Sequence, residues 1–359
     1  VVLTGTGFSG VIAMRVGGVG TPFVANSDVR LSFTSPSGLT VGPQSIDFDW
    51  ASTFTAAGAF TDTGAVSGGV AFALIENTSN PTATVASLPS HVDCSWVFHW
   101  NNLQPTTGSS IDWSSVEACV AAATAAGKRS MIRINCGATS PSDIPTPCAI
   151  TYTNASGVTQ TQNLPKFWDS SYTGPLHTFI AALGAQYAGD SRILVVQMPG
   201  NGRIGELAMG TPNAGTPTWQ SYGYTDALLI SAWEATVTAY ISAFSTGYLA
   251  WDMSAEPFHG ANVLGSLITY AQAKPTRVVV QGNGLKSGAG IARVVTACVG
   301  SRPVGSQAYL PVARGGATVP QLLSTAAGVP LNYLEIYSQD CTSAVNGAIG
   351  SWAASAPGL

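Results

Sequence analysis

From residue 92 onward, short apolar runs alternate with longer amphipathic stretches, and this alternation limits the fold more than any other feature of the chain. The runs are 94–100 (CSWVFHW), 130–136 (SMIRINC), 192–198 (RILVVQM), 248–253 (YLAWDM), 276–281 (TRVVVQ), 303–309 (PVGSQAY) and 332–338 (NYLEIYS). Brief runs of this kind, bounded by turn residues, read as strands buried on both faces. The clearest amphipathic stretch starts at Ser114, which can N-cap a helix while Glu117 closes a capping box. Val116, Val120 and Ala123 then share a face, and Gly127 ends it. A second helix is expected to begin at Pro175, with Leu176, Phe179, Ile180, Leu183 and Tyr187 as its buried stripe. Further helices fit 225–244, 261–273, 288–298 and 317–327.

Strands alternating with helices imply a parallel α/β sheet, and the length suits a TIM-like (β/α)8 barrel. Only seven strands are visible, so the eighth is sought in 81–93 or 137–165, or the barrel closes irregularly. An open doubly wound sheet is the alternative, but no G-x-G-x-x-G follows a first strand. Segment 149–163 reads as a hairpin inserted above the sheet.

Residues 1–80 follow a different grammar. "VRLSFTS" and "SIDFDW" alternate apolar and polar residues, "GGVAFALIE" is a buried-type run, and Gly, Ser, Pro and Asn punctuate them. This predicts a small all-β sandwich over 1–80, a linker over 81–91 and the barrel over 92–359.

Only 9% of the chain is charged and the net charge is −4 without a basic cluster, which argues against nucleic acid. No apolar run reaches the roughly 18–20 residues of a membrane span. A surface of Ser, Thr, Asn, Gln and Gly suits an extracellular, cell-surface or virion protein, with assembly alongside other structural proteins as one consequence. The six cysteines form no C-x-x-C pair, so no zinc site is expected, and the histidines show no metal spacing. Disulfides are the favoured reading, Cys136 with Cys148 first among them because they flank a Pro-rich loop; buried thiols are the alternative. No metal or organic cofactor is implied.

In a barrel, chemistry gathers at the C-terminal ends of the strands. Those ends carry His99, Trp100 and Asn102, then Arg133 and Asn135, then Gln197, Arg203 and Glu206, then Trp251, Asp252 and Glu256. Gln281 and Asn283, Gln307 and Tyr309, and finally Glu335 and Tyr337 complete the set. Amides and carboxylates bind hydroxyls in pairs, and aromatic faces stack on sugar rings, so the expected ligand is a carbohydrate. Glu335 stands out because Tyr333, Glu335 and Tyr337 share one face of an apolar strand, and a buried carboxylate costs several kcal/mol unless partnered. The bland alternative is that it pairs with a buried arginine such as Arg133. For Glu206 it is a solvated loop acid, and for Glu256 a first-turn acid of a helix.

Residues 98–136 resemble the barrel glycosidases of the large retaining clan that includes β-galactosidases and cellulases. The match is Trp100-Asn101-Asn102-Leu103-Gln104-Pro105, then Gly108, Ile111-Asp112-Trp113 and Ala125-Ala126-Gly127-Lys128, with Gln104 where Glu is usual. Trp168 and Asp169, ahead of the next helix, are similar too. A similar barrel behind a small β domain occurs in bacteriophage tail proteins. The resemblance implies a glycoside hydrolase with two catalytic glutamates, an acid/base after the fourth strand and a nucleophile at the seventh. Glu335 takes the nucleophile's place if 332–338 is the seventh strand. The acid is Glu206 or Glu256 according to how the strands are numbered, and Glu206 is preferred because Gly202 and Gly205 let its backbone approach a ligand. Substrate contacts are expected from His99, Trp100, Asn102, Arg133, Asn135, Trp168, Gln197, Trp251, Gln281 and Tyr337. Without turnover, the same barrel would be a glycan-binding module.

Overall fold

The computed structural model describes residues 68–359 apart from 77, 155–156, 254–259 and 287–292, and, within 1–67, the backbone of the strands. The chain divides into two compact units, Val1–Ser67 and Gly68–Leu359.

In the first unit, Val2–Thr4, Arg30–Phe33 and Phe23–Ser27 form an antiparallel sheet. Val19–Gly20, Val11–Val16, Pro43–Trp50 and Ala57–Thr61 form a second one. The alternating segments around Leu31 and Phe48 are therefore strands, as expected. Whether the sheets face each other as a sandwich lies outside the described residues.

In the second unit eight parallel strands close a barrel in sequential order. They are β1 (Val70–Glu76), β2 (Val92–His99), β3 (Ser130–Asn135), β4 (Ile193–Gln197), β5 (Tyr248–Asp252), β6 (Val278–Leu285), β7 (Val304–Ala308) and β8 (Tyr333–Tyr337). The helices between and after them are α1 (Pro81–Ala86), α2 (Ser114–Ala125), α3 (Ser170–Tyr187), α4 (Asp226–Ala243), α5 (Gly260–Gln272), α6 (Arg293–Cys298), α7 (Val319–Ala326) and α8 (Asn346–Ser355). The missing eighth strand is β1, the run assigned above to the β domain. It pairs with β8 on one side and β2 on the other, so the break between units falls before Gly68, not after residue 80. The segment expected to be a linker holds α1, N-capped by Asn80, whose Oδ1 accepts from the Ala83 amide.

Two helix starts also shift. Ser114 is the first helical residue rather than the cap, and its amide donates to Asp112 Oδ1 at 2.9 Å. Pro175 lies inside α3, which begins at Ser170 and is capped by Asp169 accepting from the Ser171 amide. The hairpin is present as Cys148–Thr153 paired with Thr159–Leu164.

Period-two alternation sorts the strand residues into two cores. Outward-facing Ile132, Val196, Leu249, Trp251, Val280, Leu334 and Ile336 pack against the helices. Inward-facing Val70, Phe72, Met131, Val195, Ala250, Val279 and Tyr333 fill the floor of the lumen. Gly305 admits the Tyr333 ring, because a Cβ there would stand 2.1 Å from the ring. All six cysteines are buried free thiols, so the expected Cys136–Cys148 bridge does not form. Cys136 instead donates through Sγ to the Gly200 carbonyl. Burial pushes Cys94, Cys136 and Cys341 up to about 12 and Cys119 and Cys148 up to about 11, which keeps these thiols protonated and inert.

Candidate active site

One step above the apolar floor, the same alternation points Ser95, Arg133, Gln197, Asp252, Gln281, Gln307 and Glu335 into the lumen. All seven are buried. Glu335, on β8, has no exposed surface. Its Oε1 accepts from Ser95 Oγ at 2.6 Å. Its Oε2 accepts from Arg133 Nη2 at 3.0 Å, Gln197 Nε2 at 3.0 Å and Gln281 Nε2 at 2.8 Å. A carboxylate taken wholly out of water is costly unless partnered, and here four donors partner it. The arginine pairing is thus the arrangement found, and Glu335 stands on the eighth strand, not the seventh. The seventh strand brings Gln307, whose Oε1 accepts from Arg133 Nη2 at 2.7 Å.

Arg133 also donates through Nε to Gln197 and reaches Glu206 Oε1 from Nη1 at 3.5 Å. Burial disfavours its charge, but Glu335, Glu206 and Asp252 outweigh that and raise its pKa.

Glu206 comes from the loop after β4, and its side chain keeps 15% of its surface exposed. The loop folds back on itself: the Gly200 amide donates to the Gly205 carbonyl at 2.7 Å, and Gly205 has φ +88°. A Cβ at Gly205 would meet Pro199 Cβ at 2.4 Å, so only glycine fits both demands. Neighbouring elements brace the loop. Tyr172 of α3 donates to the Gly200 carbonyl at 2.8 Å, and Tyr240 of α4 donates to that of Pro199 at 3.1 Å. The Arg203 guanidinium lies over the Tyr152 ring of the hairpin, 4.8 Å from its centroid.

Asp252, at the end of β5, and Asn283, near the end of β6, meet Glu206 in the mouth. Asn283 Nδ2 donates to Glu206 Oε1 at 2.8 Å and also to Asp252 Oδ2. The Glu206 pKa is raised well above 4.5, first by burial and then by the charge of Asp252; Arg133 and Arg203 pull the other way. Both causes favour the protonated form of Glu206, which stands beside a hollow of about 10 Å³ lined by Arg133, Asn135, Gln197, Glu206 and Asp252. That hollow has room for about one water.

The structure thus brings Arg133, Asn135, Gln197, Glu206, Gln281 and Glu335 together. Tyr337 lies on the same inward face of β8 and is buried. Trp100 and Trp251 are elsewhere. Both are fully buried outside the lumen, Trp100 against Phe179 and Trp251 against Trp233. Trp251 follows Ala250 and precedes Asp252, both inward, so the pleat turns it toward the helices. Trp168 is half-buried in an aromatic cluster with Trp219 and Tyr224. His99 and Asn102 line a separate cavity of about 400 Å³ with Trp96, Phe98, Leu103 and Asp112. Glu256 lies outside the described residues. The reading of strand ends named Asp252, Asn283 and Gln307 without giving them roles, and it missed Ser95, whose signal is its inward place between Cys94 and Trp96. Among the described residues no cluster of His, Cys, Asp and Glu could hold a metal ion, and no helix is long and apolar enough to cross a membrane.

No protein-family model and no curated protein matches this chain. Solved structures do. The catalytic domain of β-amylase from Paenibacillus polymyxa superimposes with a TM-score of 0.58 at 13% identity, over 81% of this chain and 99% of that one. GH5_18 from Streptomyces cattleya in complex with Manb1-4GlcNAc gives 0.54 at 10% identity, over 78% of this chain and 79% of that one. The same enzyme in complex with GlcNAc gives 0.54 at 10%, over 81% and 82%. The chain therefore has the (β/α)8 barrel fold that these glycoside hydrolases have.

Proposed function

We propose that this chain is a glycoside hydrolase-like barrel that acts on a carbohydrate, with Glu206 as the acid that protonates the leaving glycosidic oxygen. The observation that carries the reading is a partly exposed carboxyl with a raised pKa on the loop after the fourth strand, at the barrel mouth. With β1 counted, Glu206 follows the fourth strand, where the clan that the sequence resembles carries its acid, and this supports the reading. The likeness to glycosidases supplies the fold; the activity rests on the site. Neighbours named for β-amylase and for complexes with Manb1-4GlcNAc and GlcNAc make oligosaccharides the natural substrate class to test.

Two-carboxylate hydrolysis needs a second acid. Glu335, the expected nucleophile, has both oxygens engaged by Ser95, Arg133, Gln197 and Gln281, so in this proposal it holds Arg133 in place and does not attack. A panel of aryl glycosides and polysaccharides tests the reading. Turnover by the native chain should fall about 10²–10⁴-fold in Glu206→Gln with the melting temperature kept. Glu256→Gln in the same assay tests Glu256 as the second carboxylate. Binding of a glycan with no turnover, unchanged by Glu206→Gln, would make the barrel a binding module instead.

A further inference from the structure

The amide of Asn283 is held from two sides. Its Oδ1 accepts from Gln281 Nε2 at 2.7 Å, so its Nδ2 faces the other way, toward Glu206 and Asp252. Gln281 is held as well. Its Nε2 also donates to Glu335 Oε2, and its Oε1 accepts from Gln197 Nε2 at 2.8 Å and from the Tyr333 hydroxyl. Glu335, the partner of Arg133, accepts in all four of its hydrogen bonds. Glu335 therefore sets the direction of Gln281, Gln281 sets that of Asn283, and an NH2 group is delivered to two carboxyls at once. Two carboxyls that share one site do not both ionise readily, and Asp252 moves Glu206 in that direction.

Glu206 is faced by Arg133 from β3, Asp252 from β5, Arg203 from its own loop and Tyr337 from β8, with the neutral Asn283 from β6. Glu335 faces it through Arg133. Of these groups, Asp252 is the one whose charge favours a proton on Glu206 directly.

We propose that Asp252 and Asn283 are positioning residues for Glu206: Asp252 holds the proton on it, and Asn283, aimed by Gln281 and Glu335, fixes the two carboxyls against each other. This rests on the reading of Glu206 as the proton donor, yet it can be tested without turnover. The full chain is labelled with ¹³C at glutamate carboxyls and titrated by NMR, with the Glu206 signal assigned by its loss in Glu206→Gln. Asp252→Asn should lower the Glu206 midpoint by about one pH unit or more, because a neighbouring negative charge is gone. Asn283→Ala should raise it, because donors to the ionised form are lost. A general loosening of the mouth would not move the two variants in opposite directions. Should Asp252→Asn not fold, Asp252→Ser reads the same sign. Shifts as expected in a chain that cleaves no glycoside would sink the proposed activity and leave this inference standing. A midpoint that Asp252→Asn leaves unmoved, or that both variants move the same way, overturns it.

Discussion

Arg133 donates to Gln197 on β4, Gln307 on β7, Glu335 on β8 and Glu206 on the loop between β4 and α4. It is the only cation among the inward residues of the polar layer described above, and Glu335 has no surface through which water could replace it. Arg133→Met should therefore cost about 3–5 kcal/mol in denaturant unfolding, most of it from the uncompensated Glu335 charge. The double variant with Glu335→Leu should cost less than Arg133→Met alone, because no buried charge is then stranded. Glu206 yields a prediction of opposite character. Burial and Asp252 raise its folded pKa above 4.5, so the stability it contributes is present below its unfolded value and is lost as pH rises through the folded one. Relative to the native chain, Glu206→Gln should gain melting temperature at mildly alkaline pH and show no such gain in acid. Its protonation is also what the proposed reaction consumes, so turnover should fall along the same alkaline limb.

At the level of elements, the strands were legible because a two-faced apolar run between turn residues has few other uses. Seven of them fall within a few positions of where the pattern placed them. β1 was misplaced for the same reason: Val70–Ile75 are all buried, and a run apolar on both faces reads alike in a sandwich and in a barrel. The site was half legible. A carboxylate inside "LNYLEIYS" could be seen in advance, and so could Arg133 as its partner, but the choice between ion pair and nucleophile depends on how many donors surround it, which spacing along a chain does not encode. Trp251 was misjudged although the pleat alone puts it opposite Asp252. The loop between β4 and α4 offers a direct test of element-level bracing. Gly205→Ala should cost about 1–3 kcal/mol from the left-handed backbone alone, more with the Pro199 clash, and should displace Glu206 so that turnover falls further than stability does. Tyr152→Ala, which removes the ring under Arg203, should loosen the loop more mildly; both are read by melting temperature alongside turnover.

For the whole molecule, the boundary before Gly68 means that all eight barrel strands and the helices around them lie in one unit. Residues 68–359 expressed alone should melt cooperatively, whereas a fragment starting at residue 81 lacks β1, leaves β2 and β8 with open edges, and should aggregate. The thiols give a second measurement. None of the six should react with a disulfide reagent in the native state, and all six should react after unfolding in guanidinium. The amides of the lumen carry a further consequence, for how this chain can vary. Each one is oriented by its neighbour and ultimately by a single anion, so exchanging Gln281 or Asn283 for its acid would reverse a donor that two others depend on. Substitutions there should be tolerated in sets, with the anion and its cation changing together, and a library varied one position at a time should report the layer as more rigid than it is.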